Sequence, residues 1–356
     1  MDYISCPSSN WLSNVEIALI GFEKMIVASN QKKLIVGAGP TGVACARYLM
    51  SLGTDFAIAD TRNDLNTRRL VNDEFPEIEF RQGILCEKWL SGFEELIVSP
   101  GLPPSTFGLS GTETPKISDI SLFRRYWPND QPLIAITGSN AKSTVVCLVA
   151  EILKFAGKDV LLGGNLGPQA ISLLELRKDS SLAVLELSSF QLARTQNIKA
   201  TVSTILNLSP DHLDWHGSIK AYYQAKHNIF NEAESVVINS DDSSSQPSFL
   251  GTTPSTRFSV KQSSEAPFGI SNHQNQTWIS SYLEPWIPIS EIQLMGHHQL
   301  ANVLAAMAIT HQLGVKKSSV IDAVVGFRGL DHRSQTISQI NDVLFVNDSK
   351  GTNFRA

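Results

Sequence analysis

The chain has 356 residues, 42% of them hydrophobic, and a formal net charge of −5. This length suits two or three domains, and the hydrophobic content is enough to build buried cores. Acidic and basic residues are spread along the chain without a basic block, so we expect no nucleic-acid partner and no membrane surface. No apolar run reaches the roughly 20 residues of a membrane span, and the cysteines form no C-x-x-C pair. We therefore expect a cytoplasmic protein with reduced thiols.

Residues 1–24 differ in character from the rest of the chain. They carry an acid at position 2 and a glutamate inside their apolar part, and they lack the basic start of a signal peptide. We interpret them as an N-terminal extension and expect the ordered protein to begin near Met25.

The first predicted unit begins with a strand at Lys33–Val36, in the stretch "KKLIVGAGPTGVACARYLMSLG". The next residues form a G-x-G-x-x-G pattern, made by Gly37, Gly39 and Gly42. A helix is predicted at 43–52 and a second strand at 56–59, directly before Asp60. A β-α-β unit with these glycines and an acid about 20 residues later is typical of dinucleotide-binding folds.

The ligand of this unit stays open on the motif alone. Asp60 suits a ribose, as in NAD sites, whereas Arg62 two positions later could bind a phosphate. The same glycines could also make only a tight turn between strand and helix, without any ligand.

A second unit begins with the stretch "LIAITGSNAKSTVVCLVAEIL". A strand is predicted at 133–137, and after a polar turn a Lys-Ser-Thr run at 142–144 opens a helix, which is the layout of a phosphate-binding loop. The general pattern has glycine six positions before the lysine and directly before it, where this chain has Ile136 and Ala141. The lysine would neutralise phosphate charge, and the next hydroxyl could ligate Mg²⁺. An ordinary capped helix start is the alternative.

Polar side chains come directly after the predicted strands of this unit. Glu186 ends one strand, His212 comes after a strand that ends at Asn207, and Lys226 lies in the next predicted helix. Each of them alone could be an ordinary surface residue, but together they could serve an Mg²⁺–ATP site. A cationic lysine is a poor metal ligand on physical grounds. The alternating strands and helices predict an α/β fold with a mostly parallel sheet.

The last third of the chain is less regular. Residues 243–276 are predicted to form loops and short strands, and 297–314 an amphipathic helix that ends at a glycine. A strand is predicted at 343–346, close to the end of the chain. A lone strand cannot bury itself. We therefore expect that the structure which should follow this strand is missing.

The ordered set of motifs resembles the Mur ligases of bacterial cell-wall synthesis. The resemblance rests on "ITGSNAKSTV", "GGNLG", "LELSSFQL", "NLSPDHLDWHGS", "YYQAKHNIF", "GHHQLANVLAAMAI" and "FRGLDHR". The earlier segments "VGAGPTGVACARYL", "DTR" and "SPGL" narrow it to the MurD type. It covers the chain from about Met25 to its end.

The resemblance implies a three-domain architecture. A Rossmann-like domain at 25–120 would hold the UDP part of a substrate, and a central P-loop-type ATP-binding domain with a mostly parallel sheet would occupy 121–330. Residues 331–356 would be the start of a third α/β domain that is largely absent. That domain would supply the D-glutamate site, so we expect a fragment that is weakly active or inactive.

The resemblance also implies a reaction. Such ligases use ATP to add D-glutamate to UDP-N-acetylmuramoyl-L-alanine through an acyl phosphate, and they yield ADP and phosphate. The implied cofactors are ATP and Mg²⁺, and the implied partners are the two substrates. A monomer is expected.

The motif positions imply four sets of site residues. ATP would be bound by Gly138, Asn140, Ala141, Lys142, Ser143, Thr144, Asn302 and Arg333. The UDP substrate would be bound by Ala38, Gly39, Pro40, Thr41, Asp60, Thr61, Arg62, Ser99, Gly101, Asn165 and His212. The implied metal ligands are Ser143, Glu186, His212 and, as a carbamate, Lys226. The implied catalytic residues are Lys142, Glu186, His212 and Lys226.

Two residues depart from the family pattern. Ala141 stands where the family has glycine, and it should be tolerated if its backbone angle allows a methyl group. Asp331 stands where proline or alanine is frequent and places an acid near Arg333, which would weaken a phosphate contact.

Three other functions stay open. An NAD-dependent dehydrogenase would use the glycine motif, but it would leave the Lys142 loop unexplained. A non-catalytic protein that binds a UDP-sugar would fit the expected truncation. A related ligase, such as another Mur enzyme or a folylpolyglutamate synthase, is disfavoured by the N-terminal glycine motif and "DTR".

Overall fold

The computed structural model describes residues 33–261, 266–294, 296–341 and 343–350. The predicted extension at 1–24 lies outside these residues. The N-terminal unit is a parallel sheet with the strand order β3-β2-β1-β4-β5. Its strands are β1 Lys33–Val36, β2 Phe56–Asp60, β3 Phe80–Gln82, β4 Glu95–Val98 and β5 Lys116–Ile117. Its helices are α1 Pro40–Ser51, α2 Leu65–Glu74 and α3 Glu87–Leu90.

The central strands of this sheet are almost wholly buried. Strands β1, β2 and β4 are short apolar runs whose side chains are covered on both faces, as parallel sheets require. The turn from β1 to α1 is tight, because a Cβ atom added to Gly42 would lie 1.8 Å from the carbonyl oxygen of Gly37. Only glycine allows the helix to start this close to the strand.

The central unit contains a sheet of nine strands in the order β14-β13-β12-β11-β10-β9-β6-β8-β7. The strands are β6 Leu133–Thr137, β7 Asp159–Gly164, β8 Ser181–Glu186, β9 Val202–Ile205, β10 Val236–Asn239, β11 Ser255–Phe258, β12 Phe268–His273, β13 Gln276–Ser281 and β14 Glu284–Pro288. Pairing is parallel from β7 across to β12 and antiparallel between the last three strands. The predicted α/β class with mostly parallel sheets is therefore confirmed.

Helices cover both faces of this sheet. They are α4 Asp119–Tyr126, α5 Lys142–Phe155, α6 Leu173–Leu176, α7 Ser189–Leu192, α8 Leu213–His216, α9 Ile219–His227, α10 His297–Gln312 and α11 Lys317–Gly326. Short 3-10 turns lie at Ala170–Ser172, Asn228–Phe230, Ser243–Ser245 and Ile289–Glu291. No helix in the described part of the chain is long and apolar enough to cross a membrane.

Helix α10 is more deeply buried than its predicted amphipathic pattern suggests. Residues 302–310 are buried on every side, because the helix packs between α5 and the strands β10, β11 and β12. Its middle is rich in alanine, which lets backbones approach closely. The helix ends at Gln312, and Gly314 comes two residues later in a left-handed conformation, as the sequence predicted.

The two units share one hydrophobic core. Ile35 and Ile58 of the first sheet belong to the same buried cluster as Leu133 and Ile205 of the second. Helix α4 lies between the units and contacts α1, β4 and α7. The first unit is thus packed against the central one.

The strand predicted at 343–346 is present, but the prediction that it stands alone was wrong. Strand β16, Val343–Asn347, pairs with β15, Gln335–Ile340, in an antiparallel hairpin. The sequence "QTISQI" mixes polar and apolar residues and gave no clear strand pattern. Both strands leave large apolar side chains exposed, among them Ile337, Val343 and Phe345.

Candidate active site

The phosphate-type loop joins β6 to α5, as the sequence predicted. Ala141 is the residue before the helix and has a φ of 66°, in the left-handed region. A side chain with a Cβ atom is strained there by about 1 kcal/mol. The loop accepts alanine, but its backbone angle favours glycine.

The loop is fixed by the segment after β9. The backbone N–H of Ser139 donates to Asn207 O at 2.9 Å, and that of Asn140 donates to Asn207 Oδ1 at 2.8 Å. The Ser139 hydroxyl donates to Ser209 O at 3.0 Å. The segment "NLSPDH" therefore sets the shape of the loop, a role that was not predicted for Asn207.

Lys142 bends back over the loop. Its Nζ donates to the carbonyl oxygens of Gly138 at 2.9 Å and Ser139 at 3.0 Å. Burial lowers the pKa of Lys142, and the nearby Glu186 carboxylate partly opposes this effect. Two loop carbonyls thus hold the ammonium beside the loop.

Four segments meet at Glu186, the last residue of β8. Its Oε2 accepts from the Ser143 hydroxyl at 2.8 Å, and its Oε1 accepts from Asn165 Nδ2 at 2.7 Å. Arg333 Nη2 donates to the Ser143 oxygen at 3.1 Å. Residues far apart in the sequence are therefore brought together by the carboxyl ends of neighbouring parallel strands, where such sheets bind ligands.

Lys226 is almost fully buried on α9. Its Nζ donates to Gly138 O at 2.8 Å and to Thr137 Oγ1 at 3.1 Å. Burial, and secondly the positive charge of Lys142, hold the pKa of Lys226 well below its usual value. Its amine is consequently available in the neutral form.

His212 lies at the edge of the same region. It adopts a φ of 50° directly before α8, and its ring centroid lies 4.7 Å from that of Phe190. Its side chain is exposed, and its Nδ1 lies 3.7 Å from Asp211 Oδ1. The ring is thus free to contact a ligand in the cavity.

Many of these residues line a cavity of 680 Å³, but the predicted site residues Gly138, Ser143 and Lys226 are not in its lining. The predicted residues that line it are Asn140, Ala141, Lys142, Thr144, Asn165, Glu186, His212, Asn302 and Arg333. Sequence reasoning did not single out Asn207, Asn239, Phe258, His298 and Gln299, which line it too. Asn207 and Asn239 could have been found, because each stands at or just after the carboxyl end of a strand. The cavity is large enough for much of a nucleotide.

The residues predicted to bind a UDP group gather elsewhere, at the carboxyl ends of β1, β2 and β4. Asp60 Oδ2 accepts from the Ala38 N–H at 2.8 Å, and both of its oxygens accept from the Arg62 guanidinium. Burial alone would raise the pKa of Asp60, but hydrogen bonds from Arg62 and Ala38 outweigh it and lower that pKa. Asp60 thus fixes the glycine turn of this unit.

Other members of this set hold the turn and link the units. Gly39 precedes α1, and Pro40 is its first residue. The Thr41 hydroxyl donates to Gln169 Oε1 of the central unit at 2.9 Å. Thr61 comes directly after β2. Ser99 and Gly101 lie in the turn after β4.

Of the four predicted metal ligands, the structure joins Ser143 and Glu186 by a direct hydrogen bond. Ser143 Oγ and the Glu186 carboxylate are hard oxygen donors in direct contact. Among the described residues no group of three His, Cys, Asp or Glu side chains could hold a metal ion. A metal ion at Ser143 and Glu186 would therefore need further oxygen ligands, such as phosphate oxygens or a lysine carbamate.

Two domain profiles match the chain. That of the Mur ligase MurD-like N-terminal domain matches residues 31–118, and that of the Mur ligase middle domain matches residues 136–310. The chain is 40% identical over 334 residues to the UDP-N-acetylmuramoylalanine–D-glutamate ligase of Pseudomonas syringae pv. tomato. The aligned residues cover 93% of this chain and 74% of that protein. The ligase of the same name from Marinobacter nauticus is 38% identical with the same coverage.

Solved structures show the same fold at low sequence identity. The UDP-N-acetylmuramate-alanine ligase MurC of Thermotoga maritima matches with a TM-score of 0.53 and 21% identity, over 89% of this chain and 74% of that one. A second match is the UDP-N-acetylmuramate:L-alanyl-gamma-D-glutamyl-meso-diaminopimelate ligase from Neisseria meningitides, with a TM-score of 0.55 and 15% identity. It covers 85% of this chain and 99% of that one.

Proposed function

Because the chain belongs to the MurD type of the Mur ligases, which are ATP-dependent C–N ligases, we propose that it acts on UDP-N-acetylmuramoyl-L-alanine and D-glutamate. The alanyl carboxylate takes the γ-phosphoryl group of ATP, and the amine of D-glutamate then displaces phosphate and forms an amide. The products are ADP, phosphate and the extended UDP-sugar. The contact of Ser143, Glu186, Asn165 and Arg333 beside the phosphate loop is the observation that carries this proposal.

The phosphate loop and Lys142 bind the phosphates of ATP. Lys142 already lies beside the loop carbonyls, so it can exchange them for phosphate oxygens with a small movement. Arg333 offers a planar set of donors to the transferring group. These positive charges offset the negative charge that gathers on that group during transfer.

Mg²⁺ fits the oxygen donors beside this loop. Ser143 and Glu186 would hold it together with phosphate oxygens, His212 and a carbamate on Lys226. When bound, the ion neutralises phosphate charge. The buried neutral amine of Lys226 supports the carbamate, because only an uncharged amine can add to CO₂, forming an N–C bond and releasing one proton.

The first unit binds the UDP group. Ala38, Gly39, Pro40 and Thr41 offer the start of α1 to the ligand, where free backbone N–H groups favour anions. Asp60, Thr61 and Arg62 lie at the end of the adjacent strand, and Ser99 and Gly101 lie after the strand on the other side. Asn165 and His212, which line the same cavity as the ATP loop, would contact the muramoyl-alanine part.

The test is ligand binding by the chain itself. Titration calorimetry should show binding of UDP-N-acetylmuramoyl-L-alanine and, separately, of Mg²⁺–ATP. Lys142→Ala should abolish the ATP signal and keep the UDP-substrate signal. Binding of NADH in place of the UDP compound would contradict the proposal.

A further inference from the structure

Asp119 is a buried acid at the start of the helix that joins the two units. It is the first residue of α4, lies two residues after β5 of the first sheet, and is 1% exposed. Burial raises the pKa of Asp119 to about 6, so the group is still ionised at pH 8. The start of a helix favours a negative charge, but a buried carboxylate also needs hydrogen-bond donors.

The donor is Gln191 of α7, in the central unit. Its Nε2 donates to Asp119 Oδ2 at 3.0 Å, and both side chains are buried. The other carboxylate oxygen, Oδ1, is buried without a hydrogen-bond partner in the described part of the chain. The carboxylate is therefore directed at the amide of Gln191.

This contact fixes which way the Gln191 amide faces. An ionised carboxylate only accepts hydrogen bonds, so it selects the Nε2 end of the amide and leaves Oε1 on the other side. There Oε1 accepts from the Ser188 N–H at 3.1 Å and from the Ser188 hydroxyl at 3.2 Å. The Gln191 N–H donates to the Ser188 hydroxyl oxygen at 3.3 Å. A reversed amide would set its NH₂ group against the Ser188 N–H.

Ser188 ends a short segment that begins at Glu186. The middle of this segment is held by β6, because the Leu187 N–H donates to Ile136 O at 2.9 Å and the Thr137 hydroxyl donates to Leu187 O at 2.6 Å. Its far end is held by the Gln191 amide. The segment after the Glu186 carboxylate thus has two anchors, and the second one depends on the orientation that Asp119 imposes.

We propose that Asp119 is a positioning residue for the Mg²⁺–ATP site, because it orients Gln191 and thereby holds the segment that carries Glu186. The inference rests on the proposed function, in which Glu186 holds the ion. Neither Asp119 nor Gln191 has to contact a ligand for this role. Since α4 follows directly from the first sheet, the acid of the central site is oriented from the junction of the two units.

The test measures the affinity for Mg²⁺–ATP by titration calorimetry at pH 8. Asp119→Ala and Gln191→Ala should each weaken it by roughly fivefold, the change in an equilibrium constant that one ordinary hydrogen bond corresponds to. Asp119→Asn keeps an acceptor oxygen for Gln191 Nε2, so its affinity should stay within about twofold of the wild type. The double variant of Asp119→Ala and Gln191→Ala should bind no more weakly than Gln191→Ala, because Asp119 acts through that amide.

Gln131→Ala is the matched control. Gln131 is also buried, donates from Nε2 to Lys178 O at 2.9 Å and Asp179 O at 3.0 Å, and has an Oε1 that is buried without a partner among the described residues. It lies before β6 and holds the residues before β8, at the ends of these strands opposite to the site. Its loss should lower the melting temperature but leave the affinity for Mg²⁺–ATP unchanged.

The outcomes separate the two proposals. If the wild-type chain does not bind Mg²⁺–ATP, the proposed function fails and this inference fails with it. If the wild type binds and Gln191→Ala binds equally well, only this inference is overturned, even where Asp119→Ala does not fold. An equal loss of affinity in Gln131→Ala, or an additive loss in the double variant, would also overturn it, because the effect would then not pass from Asp119 through Gln191.

Discussion

Two lysines, Lys142 and Lys226, share the carbonyl oxygen of Gly138 as a hydrogen-bond acceptor. Lys226 is buried and Lys142 is half-buried, and the positive charge of Lys142 adds to the effect of burial on the pKa of Lys226. The more deeply buried Lys226 therefore has the more strongly lowered pKa.

This pKa has a consequence for stability. Lys226 is neutral in the folded chain and protonated in the unfolded chain at any pH between its lowered pKa and about 10.4. The unfolded chain binds the extra proton there, so the free energy of unfolding rises with pH through this range. We expect the free energy of unfolding of Lys226→Met to rise less with pH than that of the wild type. Urea unfolding at pH 7, 8 and 9, in buffer purged of CO₂, measures the difference. Lys154→Met, at an exposed lysine of α5, should keep the wild-type slope.

The strained loop residue gives a second prediction. Ala141→Gly should raise the free energy of unfolding by about 0.5–1 kcal/mol, because relief of the left-handed strain exceeds the added freedom of glycine in the unfolded chain. Ala156→Gly, where φ is −81°, should give no gain. Denaturant unfolding measures both variants. A lower free energy of unfolding in Ala141→Gly than in the wild type would contradict the proposed backbone strain.

At the scale of elements, neighbouring strands bring the loop and the acid together. Strands β6 and β8 pair in parallel, with Ile136 opposite Glu186, so the end of one strand meets the loop that leaves the other. Helix α5 begins at that loop and presents Ser143 to the Glu186 carboxylate. The sheet thereby fixes the distance between the acid and the loop.

Glu186→Gln tests this arrangement. The amide keeps the shape of the side chain but removes the negative charge that would hold Mg²⁺, so the affinity for Mg²⁺–ATP should fall by tenfold or more, roughly the effect of losing a charged contact. Affinity for the UDP substrate should be little changed. Glu151→Gln on the outer part of α5 is the control and should bind ATP normally. Equal ATP affinity in Glu186→Gln and wild type would remove Glu186 from the site.

The contact between α1 and β1 gives a prediction for the first unit. Gly42→Ala would place a methyl group 1.8 Å from a backbone oxygen, and it should destabilise the chain by about 3 kcal/mol, the upper end for overpacking. Gly39→Ala meets no atom within 4 Å at a φ of −78° and should fold normally. Thermal unfolding of the two variants provides the comparison, and similar melting temperatures would contradict this account of the turn.

For the whole molecule, the sequence predicted the elements better than their relations. Strand β1 was predicted with the bounds it has, because an apolar run between a basic pair and a glycine turn is a local signal. The resemblance assigned both Arg333 and Ser143 to the ATP site, but their direct hydrogen bond depends on long-range packing, which a local pattern does not describe. The same holds for Arg194 of the central unit, which donates to Leu102 O of the first unit. Local patterns carry no information on such long-range contacts.

The Mur-ligase resemblance drawn from the ordered motifs is confirmed by the matching profiles and relatives. The roles of individual residues remain predictions. The proposed UDP region lies at the first sheet, and the proposed ATP region is the 680 Å³ cavity of the central unit. Such a division suits a reaction in which the carboxylate of a bound nucleotide-sugar takes the γ-phosphoryl group of ATP and ADP leaves.

The central claim is that the first unit binds a UDP-sugar and not a dinucleotide. Thermal unfolding of the chain with UDP-N-acetylmuramoyl-L-alanine, and in parallel with NADH, tests it most directly. At about a hundred times its dissociation constant, a ligand adds roughly 2.7 kcal/mol to the free energy of unfolding, enough to move the melting temperature visibly. A rise with the UDP compound and none with NADH is the predicted result. A rise with NADH alone would contradict the account.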